Sequence, residues 1–215
     1  EGGRVQRLGP PHWPKRPPAA EFAERYRSDP EGATAALAEN AAAIATDLAD
    51  LGITVDCWPV LDLPQPGADP IIGDRALGAE TAAIASLGRV IMDALHAGGV
   101  SPIIKHIPGH GRALSDSHES LPRVAADAAS LAADCQPFSE LSDATMAMTA
   151  HVVYEAWDAE YCASVSARVI EEQIRGCIGF DGLLMSDDLD MKALSGDLPS
   201  RAVAVLEAGC DIALN

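Results

Sequence analysis

The stretch Lys105-His106-Ile107-Pro108-Gly109-His110-Gly111-Arg112-Ala113-Leu114-Ser115-Asp116-Ser117-His118 decides how the rest of the chain is read. It follows the apolar run Val100 to Ile104 and gathers three histidines, a lysine and an aspartate among glycines and a proline. Lys105, His106, His110, Asp116 and His118 are groups that bind, protonate or ligate. Gly109 and Gly111 permit backbone angles that side chains forbid, so the segment can fold back on itself. The expected form is a strand end running into a long loop, where reactive residues are carried by a rigid scaffold.

Outward from this stretch, strand-like and helical patterns alternate. Proline-rich sequence from Glu1 to Pro30 predicts a surface loop with a short helical piece near Ala20 to Tyr26. Leu37, Ala41, Ile44, Leu48 and Leu51 fall at helical spacing and predict a helix over Gly32 to Asp50, closed by Gly52. A strand is expected over Ile53 to Leu63, then a helix over Glu80 to Ala97 ended by Gly98-Gly99. Beyond the opening stretch, one or two helices lie between Ala125 and Leu141, followed by a strand over Thr145 to Val153. A helix over Ala167 to Ile178, the turn Gly179 to Gly182 and an apolar strand from Leu183 to Asp188 follow. The last units are a helix over Ser200 to Ala208 and a short strand over Asp211 to Leu214.

Such alternation means parallel strands joined by helical crossovers. Asp62, Lys105-His106, His151 and Asp187-Asp188 all fall at or just past the C-terminal ends of successive strands. A parallel barrel builds its site on that rim. An open doubly wound sheet usually holds phosphate on a glycine-rich first turn, and neither GxGxxG nor a Walker loop occurs here. The expected class is therefore α/β, a TIM-type (β/α)8 barrel. A full barrel needs eight strands and ~250 residues, whereas this chain shows roughly five strand–helix units in 215 residues. The expectation is one partial barrel domain over residues 1–215, with strands ahead of Glu1 and a helix after Asn215.

Composition excludes several classes. A chain 48% hydrophobic is not disordered, and a net charge of −17 leaves nothing to neutralise nucleic-acid phosphates. The five cysteines are scattered and without CxxC spacing, which fits reduced, mostly buried thiols and a cytoplasmic location. No apolar run has membrane-spanning length.

The rim residues suit sugar transfer. Asp187 supplies a carboxylate to attack an anomeric carbon, opposite an Asp116/His118 pair able to protonate the leaving oxygen. Lys105, Arg75 and Arg7 are donors for sugar hydroxyls or an acidic substituent. A rival assembly takes His106, His110, Asp116, His118, His151 and Asp187 as ligands of a metal-dependent hydrolase. The Asp187-Asp188 doublet also admits attack by a substrate acetamido group. Neighbouring strand residues face opposite ways, so only one of the two should meet the sugar, and Asp187 is favoured.

Lys105-His106-Ile107-Pro108-Gly109-His110-Gly111 with Asp116-Ser117-His118 resembles the signature loop of glycoside hydrolase family 3, above all its bacterial β-N-acetylglucosaminidase branch. Gly179-Phe180-Asp181-Gly182 with Ser186-Asp187-Asp188-Leu189 resembles that family's nucleophile strand. Glu1 to Arg7, Pro59 to Asp62, Gly73-Asp74-Arg75 and Ala208 to Asp211 match in the same order. The resemblance implies a retaining β-N-acetylhexosaminidase acting on small carbohydrates, peptidoglycan fragments in cell-wall recycling among them, without a cofactor or a bound metal. It implies Asp187 as nucleophile, His118 held by Asp116 as general acid and base, and Arg75, Lys105, His106 and Arg7 as sugar contacts. It also places a sugar-binding aspartate two residues ahead of Glu1. A non-catalytic sugar-binding relative is the remaining alternative, against which intact Asp187, Asp116 and His118 count.

Overall fold

A computed structural model describes residues 1–215. Helices α1 (Ala19–Tyr26) and α2 (Pro30–Ala49) precede strand β1 (Val55–Asp56). Helix α3 (Thr81–Ala97), strand β2 (Ser101–Ile107), strand β3 (Arg123–Val124) and helix α4 (Ala128–Glu140) follow. Strands β4 (Met146–Thr149) and β5 (Val153–Tyr154), a π-helix over Val169–Ile178, strand β6 (Leu183–Met185) and helix α5 (Leu198–Ala208) complete the order.

Strands β1, β2, β4 and β6 lie side by side in sequence order, every pair parallel. Ile212 extends the row by a parallel bridge to Met185. Five sequential strand positions with a helix in each crossover make a sector of a β/α barrel, open at both edges, which is the fold class expected. The core lies mainly on the helical side, where Ile104, Ala147 and Leu184 of adjacent strands join Leu37, Leu87, Ile91 and Phe138 in one buried cluster. The opposite, inner face carries Ile103, Met148 and Met185, with Cys57, Met146 and Ile212 against them. Alternation along each strand sorts the two sets.

Several boundaries differ from the sequence reading. Helix α2 begins at Pro30 rather than Gly32, because the Asp29 carboxylate caps the Gly32 N–H at 2.9 Å and proline suits a first helical turn. Asp197 does the same for α5, which starts at Leu198 rather than Ser200. The strand expected over Ile53 to Leu63 is regular only at Val55–Asp56, and Val60 rejoins β2 by a single bridge to Lys105. The strand expected over Thr145 to Val153 leaves the main sheet after Thr149, and Val153–Tyr154 pairs instead with Arg123–Val124 in a separate two-stranded sheet. The helix expected to Ile178 is present but wound as a π-helix over most of its length. Only Ile212 of the expected last strand pairs. The helix starts are set by local caps, whereas the strand differences are cases where a long-range partner, absent from local pattern, sets the hydrogen bonding.

Candidate active site

The parallel register builds the site. Lys105, Met148 and Met185 are aligned across β2, β4 and β6, and Asp187, two residues past Met185, returns to the same inner face. Lys105 and His106 are neighbours, so simple alternation would part them. Pairing shifts between Lys105 and Ile107, leaving His106 as the extra residue of a bulge, and both side chains then reach one cleft.

That cleft, about 650 Å³, sits at the C-terminal rim of the strands. Arg7, Arg75, Lys105, His106, Asp116, His118 and Asp187, the seven residues to which the family resemblance assigns a role, line it. Asp188 does not, and its carboxylate instead accepts the Asp190 N–H at 2.9 Å. Five cations (Arg4, Arg7, Arg16, Arg75, Lys105) face five acids (Glu1, Asp47, Asp56, Asp116, Asp187) across the lining. Charge is thus balanced locally in a chain of net −17, which suits a hydroxyl-rich ligand better than a polyanion.

Each polar group has a definite support. The Glu1 carboxylate accepts from Arg75 at 2.9 and 3.0 Å and from Lys105 Nζ at 2.7 Å, all three side chains being nine-tenths buried or close to it. Burial alone would raise the Glu1 pKa, but Lys105 and Arg75 outweigh it and hold the carboxyl far below the usual range. Arg75 is held charged in turn, Glu1 more than offsetting its desolvation. Arg7 is exposed and makes no hydrogen bond to the protein.

Asp62 does not line the cleft. It is fully buried beneath the rim, where its carboxylate accepts His106 Nδ1–H at 2.6 Å and the backbone N–H groups of His106 and His110 at 3.2 and 2.6 Å. Burial opposes its ionisation, yet His106 and His110 outweigh that and lower its pKa. This fixes the His106 ring with Nε2 toward the cleft. The loop beyond is closely sewn: a Cβ at Gly111 would lie 1.9 Å from the Leu63 carbonyl oxygen, so only glycine permits the approach. Tyr154 Oη donates to the Gly109 carbonyl at 2.8 Å from the small second sheet.

At the loop's outer end the His118 Nδ1 and backbone N–H both meet Asp116 Oδ1, at 2.7 and 2.8 Å. The imidazole is 59% exposed and so free to present Nε2 to a ligand. Asp116 resists protonation because the His118 contacts outweigh its partial burial. Asp187 is half-buried and accepts only the Asp188 N–H, at 2.9 Å. Burial would raise its pKa, but His106, the Asp188 N–H and Lys105 are among the neighbours that together lower it. A carboxylate kept ionised with its other oxygen unpaired is a ready nucleophile.

His110 and His151 are not cleft residues. His110 is buried with Nε2 on Ser117 Oγ at 3.0 Å, and burial lowers its pKa. His151 is fully buried between Ser164 Oγ at 2.7 Å and the Asp188 carbonyl at 3.1 Å. The metal-hydrolase assembly therefore fails on geometry: nowhere do three His, Cys, Asp or Glu side chains converge on a point an ion could occupy. Sequence reasoning missed Glu1 and Ser164 as site-supporting groups. Glu1 stood within a run already matched to a family, and Ser164 has no local signal.

Fold and cleft together define a β/α-barrel protein with its site at the C-terminal rim of parallel strands. The chain belongs to glycosyl hydrolase family 3, whose N-terminal domain matches residues 1–215. It is 37% identical over 221 residues to the beta-hexosaminidase of Bordetella avium, covering all of this chain and 62% of that protein. Two crystal structures of NagZ from Neisseria gonorrhoeae superpose closely. The complex with N-trifluoroacetyl-D-glucosamine has a TM-score of 0.90 at 36% identity, covering 100% of this chain and 63% of that one. The complex with zinc ion has a TM-score of 0.88 at 34% identity, covering 100% and 62%. The chain thus spans less than two thirds of the length of these relatives.

Proposed function

We propose that residues 1–215 carry the catalytic domain of a retaining β-N-acetylhexosaminidase that removes terminal β-linked N-acetylglucosamine. The observation that carries this reading is the ionised, half-open Asp187 carboxylate sharing one cleft with the His118–Asp116 pair. Asp187 attacks the anomeric carbon as the glycosidic C–O bond breaks, and His118 Nε2–H protonates the departing oxygen. His118 then takes a proton from water as that water displaces Asp187. Asp116 holds the imidazole by Nδ1 and keeps Nε2 directed at the leaving oxygen.

Arg75, Lys105 and His106 donate to the sugar hydroxyls, with the exposed cation Arg7 beside them on the cleft lining. A relative bound to an N-acetylglucosamine analogue supports the sugar class. Peptidoglycan fragments released in cell-wall recycling are the proposed natural substrate, and the cytoplasm the proposed location. No helix is long and apolar enough to cross a membrane. The chemistry uses no cofactor, so a chelator should leave turnover unchanged.

The deciding experiment follows the anomeric proton during hydrolysis of an aryl N-acetyl-β-glucosaminide by the full-length protein. First release of the β-anomer is expected. First release of the α-anomer would refute the covalent route through Asp187.

A further inference from the structure

Beneath the proposed nucleophile lies a polar cluster with no part in the chemistry so far. His151, fully buried, spans from Ser164 Oγ (2.7 Å from Nδ1) to the backbone carbonyl of Asp188 (3.1 Å from Nε2). Ser164, also fully buried, contacts Thr149 Oγ1 at 2.6 Å and the Ala150 carbonyl at 3.1 Å. Three elements meet here: the end of β4, the 3-10 turn Ala163–Val165 and the segment following β6.

A carbonyl oxygen only accepts, so the contact to Asp188 requires a proton on Nε2. Burial disfavours the charged ring despite nearby Asp187 and Asp188, which leaves Nδ1 as an acceptor; the one Ser164 Oγ–H is offered to it at 2.7 Å and to the Ala150 carbonyl, a longer contact, at 3.1 Å. Ser164 Oγ can accept in turn from Thr149. The backbone of Asp188 is then held on both sides of its Cα: the carbonyl of the following peptide by His151, the N–H of the preceding peptide by the Asp187 carboxylate. Releasing the carbonyl would free the Asp188 Cα to rotate and with it the one donor that Asp187 accepts from.

We infer that His151, held in its Nε2–H form by the Asp188 carbonyl with Ser164 on Nδ1, is a positioning residue that aims the Asp187 carboxylate through the Asp188 backbone. The inference rests on Asp187 being the nucleophile. His151 itself touches no substrate. It acts as a strut whose length and donor matter, because near-attack geometry tolerates little displacement.

The test has two arms, both in the full-length protein. In the first, nitrogen-15 NMR of the imidazole rings should show His151 protonated at Nε2 between pH 6 and 8, and Ser164→Ala should weaken that preference. A ring protonated at Nδ1 alone overturns the inference, whatever the enzymatic activity. In the second, His151→Phe and His151→Gln are compared, glutamine keeping a donor near the Nε2 position. His151→Phe should lower kcat on an aryl N-acetylglucosaminide on the order of a hundredfold with KM nearly unchanged. It should also raise the acid limb of kcat/KM, set by Asp187 as it faces His106, Lys105, Cys57 and Asp188. His151→Gln should recover most of the loss. Equal losses in both variants, with the acid limb unmoved, would reduce His151 to a packing residue. A wild-type protein without glycosidase activity would instead sink the proposed function and leave the ring spectrum to decide the strut.

Discussion

The Glu1 carboxylate and the Lys105 ammonium form an ion pair of 2.7 Å on the floor of the cleft, and Arg75 closes the same carboxylate from the other side. Two cations that would otherwise repel across a confined space are thereby held side by side on one carboxylate in the cleft lining. Glu1→Gln keeps the shape and removes the charge. It should raise KM for the sugar and lower kcat/KM by about ten- to a hundredfold, with kcat less affected. Steady-state kinetics on the full-length variant measures this, and an unchanged KM would show that the pair does not shape sugar binding.

Asp187 is the group on which turnover depends. Asp187→Ala should cut kcat by more than about a thousandfold, because no second carboxylate faces the cleft from β6. Urea unfolding should show a normally folded protein, since the side chain makes only one hydrogen bond, to its own neighbour.

His118 should reveal itself through the leaving group. Loss of a general acid costs about a hundred- to ten-thousandfold where the departing oxygen needs a proton, and far less where it departs as a stable phenolate. His118→Ala should therefore be severely slow on an alkyl N-acetylglucosaminide and mildly slow on a dinitrophenyl one. Parallel losses on the two would remove the acid role. Asp116→Asn should follow the same pattern more weakly, because the amide oxygen can still accept from Nδ1 but the negative charge beside the ring is gone.

Asp62 makes stability sensitive to acid. Its folded-state pKa is depressed below 3.8, so its contribution is complete above that unfolded value and is lost as the pH falls through the folded one. Glu1 and Asp187, also depressed, act in the same direction. The urea midpoint should be nearly flat from about pH 5 to 8 as far as these groups determine it, and fall below about pH 4. Asp62→Asn should cost about 3–5 kcal/mol at neutral pH, as expected when one partner of a buried charged pair is removed, and should flatten part of the acid decline.

The alternation of apolar runs and helical spacings was enough to read the order of strands and helices. It also placed Lys105, His106 and Asp187 at strand ends, since period and position along a strand are local properties. The cleft residues Arg75, Asp116 and His118 were legible because they stand in short motifs of fixed spacing. Element ends were less legible: the early start of α2 depends on Asp29 and Pro30, whereas β5 exists only because Arg123–Val124 lies beside it.

Chain order by itself determined the parallel β/α architecture and which side chains gather at its rim, because both follow from periodicity within a few residues. Only the tertiary structure decided what each group does there. It turned Asp62 away from the cleft onto His106 and His110, brought Glu1 between Arg75 and Lys105, and tied His151 to Ser164 and the Asp188 carbonyl. The reason is separation: Asp62 and His106 lie 44 residues apart, and Glu1 and Arg75 lie 74 apart. Contacts across such distances exist only once the sheet has set its register.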